Sequence, residues 1–587
     1  MSKCMYTMSR PDRSDKLLNR KIQSETVVKC SLNKLLVNDD YSSKFKDAVE
    51  RRMMACSIRT WTAMVCLNLL IRELFNGIAD PTQVQLPDFV NQTFLRQLLL
   101  GTKGSHKPYP QIESLYNRYP QLVSDQERHL GDRNIYSAAA IKLATNIQNH
   151  LIINFPRFLK KYLYKVTKLS KNEAVEALYL IHGWTKKKHE EGVDMDKVHR
   201  YVNRVKYILG LENDTKITKP WLKNNIASIL RLFVFINQCL ERKELPLFNI
   251  LPIMKTKAHF VTLDTSSFIG IVKEIGLASN VSGGLEKDFW FSVFNLNSIQ
   301  GKGKTFTGTM DTDGVVVNVH FQIPKVVGDG KAIDLTGKRV IGVDPGRTNI
   351  FQMIEELDGS FKEYKLTRKQ YYTEAGIFEA RKHTNHWNKQ IQEELKELSE
   401  ASPKSVKLES FVHYITTSLK VKEAVWSEYF KKRWRQQRFR LYGGKKRVFS
   451  KFLNRLGPLD NTVLAYGSAK FAPGGKGELS VPTSRAFKEC SYRVKTVLVD
   501  EFRTSKIHWE DGSILQLVKK GMQKDAPVVR GLLWCHSTIM GKSKFVNRDR
   551  NAAINILHCA TLSSRPLALQ RKPGLKKINQ RVGRRII

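Results

Sequence analysis

Three short segments, far apart in the chain, share one pattern: an apolar strand or a helix start carries a carboxylate where burial would otherwise be expected. Val340–Asp344 (VIGVD) reads as a strand that ends on an acid, and Pro345-Gly346 turns the chain into the next strand. Val497–Glu501 (VLVDE) is a second apolar strand and ends on two acids. Side chains alternate along a strand, so only one of Asp500 and Glu501 can share a face with a site. In Asn547–Asn555 (NRDRNAAIN), Asp549 lies one turn ahead of a helix whose alanines are small enough to pack closely on a sheet. Asn551 and Asn555 fall on one face of that helix. Three carboxylates converging from separate element ends cannot all keep their charge without a cation. Hard oxygen ligands select Mg²⁺, or Mn²⁺ in its place. Two such ions about 4 Å apart support phosphodiester hydrolysis.

Charge points to the same substrate. The 587 residues hold 98 Lys+Arg against 55 Asp+Glu, a net +43, while 41% hydrophobic residues mark a folded chain. Such a chain repels itself unless a polyanion offsets it, and small acidic metabolites do not require so much charge. Nucleic acid does. The densest run lies between Glu428 and Asp460. Lys431, Lys432, Arg433, Arg435, Arg438, Arg440, Lys445, Lys446 and Arg447 are expected to face a phosphate backbone on a basic helix over 431–455. Trp426, Phe430 and Trp434, at i, i+4 and i+8, form an apolar stripe. No acid follows Asp549, and the end of the chain (QRKPGLKKINQRVGRRII) reads as a nuclear-import signal or nucleic-acid arm.

Membrane and secretory readings fail. The longest apolar stretch, Trp61–Ile71, is short of the roughly 20 residues of a span. The basic N-terminus lacks a signal-peptide core, and Asp12 and Asp15 argue against a transit peptide. Eight scattered cysteines without a CxxC read as reduced thiols.

Periodicity divides the chain. Residues 1–43 form an arm with a strand at 23–37, and 44–245 an all-helical lobe. Residues 246–335 form a β-domain built from KAHFVTLDT, DFWFSVFNL, KTFTGTM and GVVVNVHFQIP, with a turn at Asp313-Gly314. The strand at 23–37 is expected to belong to that domain, with the helical lobe inserted between. From 336 to 587 the chain is α/β, with a helical insertion at about 375–457 and a basic tail at 560–587. His259 and His320 read as satisfied imidazoles in β runs. The glycine-rich stretch 467–478 lacks P-loop spacing and reads as a mobile loop beside the site.

GVDPGRTNIF, VLVDEFRTSK and NRDRNAAINIL, in this order, resemble the split RuvC motifs of Fanzor nucleases, the eukaryotic and viral relatives of TnpB. MDTDGVVVNVHF, just before them, is similar to Fanzor as well. The resemblance covers about 300–587 in its motifs and the N-terminal half only in layout. It implies a RuvC nuclease domain of the RNase H type, a β wedge domain and a helical recognition lobe. It also implies a guide RNA, of transposon origin, and cleavage of double-stranded DNA beside a short adjacent motif, by a monomer with one RNA in the nucleus. Carried over by position, Asp344, Glu501 and Asp549 are the catalytic metal ligands, with Asp500 the runner-up to Glu501. Asn551 and Arg503 stand behind them.

Two departures follow. The strand where TnpB carries its second-motif glutamate resembles NTVLAYGSAKF, which holds Tyr466 and Gly467 and no acid; Glu501 fits the substitute that Fanzors use. The four-cysteine ribbon of TnpB is reduced to His508, Cys535 and His536, with Cys490 before it. Zinc sites favour two to four residues between a chelating pair, so zinc is expected to be absent from 503–545 and the segment held by Trp509 and Trp534. Two other classes stay open. One is a guide-independent RNase H-like nuclease or transposase, and the other a guided binder with an inactive site.

Overall fold

The computed structural model describes residues 23–571, except 38, 102–107, 123–132, 185–191, 213–214, 278–285, 325–333, 469–478, 522, 524–525 and 537–542. The expected loop over 467–478 and the tail beyond 571 therefore lie mostly outside the described residues. The chain forms two compact units, Met1–Val326 with Asn388–Gln436, and Val327–Trp387 with Gln437–Ile587. Residues 388–436, expected as an insertion in the nuclease region, thus group with the helical part of the chain. Arg72 of the long helix Asp39–Phe75 is one reason. Its buried guanidinium donates to the carbonyls of Pro403 and Ser405, both at 2.9 Å, and lies 3.9 Å over the Phe411 ring.

In the first unit, Val49, Met53, Cys56 and Met64 line the buried side of Asp39–Phe75. This helix is long and apolar enough to cross a membrane by composition, a length the sequence estimate missed, but its apolar part is core. The unit's sheet contains β1 (Gln23–Ser31), β2 (Val261–Leu263), β3 (Thr305–Thr312) and β4 (Val316–Pro324), in the order β1-β4-β3-β2. β1 pairs antiparallel with β4 along its whole length, from Gln23 opposite Pro324 to Ser31 opposite Val316. The predicted strand at 23–37 ends early, because Leu32–Leu35 forms a helical turn with Leu32 and Leu35 buried. DFWFSVFNL is not a strand. Glu286–Val293 is helical, and Trp290 stacks at 3.9 Å on Phe268, a contact that overrides the β propensity of so aromatic a run. His320 lies between Asp311, at 3.1 Å, and Glu25.

The basic run breaks at Lys431, which is extended between helices Lys422–Phe430 and Lys432–Asn454. Arg435 departs from its expected role. It is fully buried, donates to the Asp313 carbonyl at 2.8 Å and the Phe430 carbonyl at 3.1 Å, and pairs with Glu50. It holds the β3–β4 turn, where Gly314 has φ +80° and little room for a Cβ beside that guanidinium. Arg435→Ala is expected to cost about 3 kcal/mol, since Glu50 and two backbone acceptors lose their partner. A denaturant melt that matches wild type would refute the role.

In the second unit, β5 (Arg339–Asp344), β6 (Asn349–Leu357), β7 (Ser360–Thr367), β8 (Thr462–Gly467) and β9 (Lys495–Val499) form one mixed sheet. Its order is β7-β6-β5-β8-β9: β6 is antiparallel to both β7 and β5, while β8 and β9 run parallel to β5. One face packs on Val448, Phe449, Phe452 and Leu453, from the C-terminal half of Lys432–Asn454. The other is covered by the helix Arg548–Thr561. That helix crosses β5 at Gly342, where a Cβ would overlap the Ala553 carbonyl. The close approach brings the N-terminus of the helix to the end of β5. A separate antiparallel sheet has β10 (Gln516–Lys519), β11 (Val528–His536) and β12 (Ser543–Asn547) in sequence order.

Candidate active site

Asp344 is the last residue of β5, at the end from which β8 and β9 also emerge. Tyr466 of β8 pairs with Val343, so Gly467 is the β8 residue next to Asp344. Gly467 is the position where the sequence offers no acid, and it is a glycine for a reason. The Glu501 carboxylate occupies the place its side chain would take, and a Cβ there would overlap Oε1. The chain reaches Glu501 two residues beyond Val499, which pairs with Gly467.

Asp549 arrives from the third direction. Asn547 caps the helix Arg548–Thr561, accepting from the N–H groups of Asp549 at 3.1 Å and Arg550 at 3.0 Å. Asp549 therefore sits in the first helical turn, where the helix dipole favours a carboxylate. Its Oδ2 accepts from Asn349 Nδ2 at 2.9 Å and its Oδ1 from Arg548 at 2.8 Å and 3.1 Å. Asn349 and Arg548 stand in the first and third motifs, GVDPGRTNIF and NRDRNAAINIL, and were missed as contributors to the site. Arg548 directly precedes Asp549 and was open to notice in the sequence, whereas Asn349 stands 200 residues away and meets it only in space, which leaves no local trace.

Glu501 and Asp549 both act on Asp344. Asp344 is half-buried as a residue, but protein atoms crowd its carboxyl, and this desolvation raises its pKa well above the usual carboxylate range. The charges of Glu501 and Asp549 add to the rise, and Arg548 opposes it.

Of the adjacent pair, Glu501 is beside Asp344. Asp500 is held elsewhere by Arg571, with bonds of 2.6 and 2.8 Å. Arg503 contributes its backbone: its φ is +62°, a left-handed conformation costing about 1–2 kcal/mol. Thr504 returns its N–H to the Glu501 carbonyl at 3.3 Å, and Lys506 its N–H to the Arg503 carbonyl at 2.8 Å. Asn551 and Asn555, which the helical period put on one face, both donate to the carbonyls of Thr504 and Ile507, at 2.7–3.0 Å. Asn551 also accepts from the Trp509 N–H at 3.1 Å. The turn that carries Glu501 is thereby fastened to the helix that carries Asp549.

The structure separates the other expected residues. Among the basic set, Lys431, Lys432, Arg440, Lys446 and Arg447 are exposed, and Arg433, Arg438 and Lys445 are half-buried. Lys431 and Arg433 share the buried Glu428, whose second role is to accept from Trp434 at 2.9 Å. Of the three zinc candidates, His508 and Cys535 meet, but with Asp511 and not His536; their ligating atoms lie within 4.8 Å of one another. His508 already bonds Asp511 at 3.0 Å, and Cys535 Sγ bonds Ser513 Oγ at 3.2 Å, so these donors have partners without an ion. His536 is exposed and bonded to Trp534 and Ser543.

No family model and no curated protein matches the chain. Solved structures similar to it include CasPhi-2 (Cas12j) bound to crRNA and phosphorothioate-DNA, at TM-score 0.26 and 11% identity, over 53% of this chain and 59% of that one. Others are Alicyclobacillus acidoterrestris C2c1 with single-guide RNA, at TM-score 0.31 and 10% identity over 91% and 88%, and a Cas12i–crRNA–dsDNA complex, at 0.20 and 11% over 95% and 93%. The chain thus spans less than two thirds of the CasPhi-2 chain. Likeness at this level decides nothing about activity, which rests on the residues of this chain.

Proposed function

We propose that this protein is an RNA-guided DNA endonuclease that holds two Mg²⁺ ions on Asp344, Glu501 and Asp549 and cuts double-stranded DNA beside a short adjacent motif. One observation carries this reading: carboxylates from the end of β5, the turn after β9 and a helix N-terminus lie close enough that two of them raise the pKa of the third. The donor set fits a hard divalent cation, since it offers carboxylate oxygens whose mutual repulsion a cation relieves. When bound, such ions supply Lewis-acid stabilisation of the attacking and leaving oxygens of a phosphodiester.

The chain's own residues prepare that site. Asn349 orients Asp549, Gly467 leaves room for Glu501, and Asn551 and Asn555 fix the turn between them. The strand order supports an RNase H-like reading of this unit. The net charge of +43 and the exposed cations of the basic helix support a nucleic-acid substrate. The motif resemblance supports the guide RNA, its transposon origin and the nuclear location. A binder with an inactive site would need Glu501 turned away from Asp344, and its charge instead acts there.

Sequencing the nucleic acid that copurifies after expression with the flanking DNA tests the guide. A discrete RNA, structured at one end and running into varying sequence at the other, is expected, and its removal by RNase should stop cleavage. Heterogeneous fragments, with cleavage surviving RNase, would move the guide-independent enzyme ahead.

A further inference from the structure

We propose that Arg571, near the end of the described chain and 70 residues beyond Glu501 in sequence, is a positioning residue for that glutamate. It acts through Asp500, and the inference rests on the metal-site reading above. Asp500 and Glu501 are adjacent carboxylates on a turn with a left-handed residue at Arg503, a conformation that persists only where its surroundings over-determine it. Asn551 and Asn555 hold the far side of the turn. The near side is held by the C-terminal segment. Arg571 binds Asp500 with two parallel bonds, Nε to Oδ2 at 2.6 Å and Nη2 to Oδ1 at 2.8 Å, and its guanidinium lies 4.6 Å over the Phe502 ring. Arg565 Nη2 donates to the Asp500 carbonyl at 2.7 Å.

That segment is itself folded. Arg565 Nε donates to the Leu569 carbonyl at 2.9 Å, the Gln570 side chain donates back to the Arg565 carbonyl at 2.6 Å, and Leu569 is buried. Arg571 therefore reaches Asp500 from a fixed base. A bidentate guanidinium–carboxylate pair sets direction as well as distance. It holds Asp500 toward the C-terminal segment, while the next residue, Glu501, lies against Gly467 on the Asp344 side of the turn. Phe502 is fixed by the same guanidinium, so the residues on both sides of Glu501 are held.

The test uses the full chain with its RNA and the variants Arg571→Ala, Asp500→Ala and the double. Arg571→Ala is expected to lower cleavage at least tenfold and to weaken Mn²⁺ binding several-fold, measured by electron paramagnetic resonance without DNA. RNA retention should be unchanged. The double variant should be no worse than Arg571→Ala alone, because both act through one pair. Cleavage within twofold of wild type with unaltered Mn²⁺ affinity, or additive losses in the double, would overturn the proposal. Asp344→Ala runs alongside: if that variant still cuts, the metal-site reading fails and not the clasp alone. Should Arg571→Ala fold poorly, Arg571→Lys keeps the charge without the two-bond geometry and is expected to show the same weakened Mn²⁺ binding in smaller measure. Wild-type binding by a folded Arg571→Lys would count against the clasp.

Discussion

Replacing Asp344 by Asn is expected to abolish cleavage and, in the same protein, to raise the melting temperature measured in EDTA. The two effects share a cause. Desolvation and the charges of Glu501 and Asp549 hold the Asp344 carboxyl well above the ordinary carboxylate range. A carboxyl whose folded pKa is raised adds no cost below its unfolded value of about 3.9, where it is protonated in both states. As pH rises from there through the raised folded value, the unfolded chain releases its proton and the folded one does not, so stability falls. The wild-type melting temperature relative to Asp344→Asn should therefore decline from about pH 4 upward, by roughly 2–4 °C for each kcal/mol in a domain of 150–250 residues. Mg²⁺ should cancel the difference for the wild type and leave the variant unchanged. A pair of melts in EDTA across pH 4.5–8, with and without Mg²⁺, reads all of this. An Asn variant that melts lower than wild type throughout, or one that still cuts DNA, would sink the assignment of Asp344 as a metal ligand in a repulsive cluster.

Gly467→Ala is expected to reduce cleavage by about 100-fold or more while changing the melting temperature little. The three atoms nearest the added Cβ, Oε1, Cδ and Cγ, all belong to the Glu501 side chain. A flexible side-chain end can swing away cheaply, so folding is spared. The carboxylate cannot then return to its place, and a misplacement of about 1 Å in a reacting constellation costs on the order of 100-fold. Cleavage rates for Gly467→Ala, Glu501→Ala and the double separate this from a general disturbance. In the double variant the alanine at 467 should cost nothing further, because the group it displaces is already gone. Near-wild-type cleavage by Gly467→Ala would mean that Glu501 does not work from the position it occupies.

These two positions show what is written along the chain and what is not. Asp344 and Glu501 are visible in the sequence because they close apolar strands, and Asp549 because it opens a helix of small residues fit to pack on a sheet. The strands Val316–Pro324 and Arg339–Asp344 are visible because burial of a sheet imposes β-branched and apolar residues on neighbouring positions, and Thr305–Thr312 because threonine, a β-branched residue, recurs at every second position from 305 to 309. Asn551 and Asn555 were legible as a pair because the helical period alone puts them on one face.

Contacts between distant segments were not legible. Gly467 reads as the lack of an acid until the Glu501 carboxylate is seen in its place. Arg435 reads as one more cation in a basic run, and only its pairing with Glu50 and with the Asp313 carbonyl removes it from the phosphate-facing set. Asp511 takes the place expected of His536 because alternation along β11 puts Cys535 and His536 on opposite faces. The aromatic run Phe289–Phe291 becomes helix because Phe268 offers Trp290 a ring to stack on. Local periodicity and misplaced polarity are recorded residue by residue and follow from the chain itself. Partners such as these are separated by tens to hundreds of residues, and no local preference encodes which of them will meet; packing of the finished elements decides that.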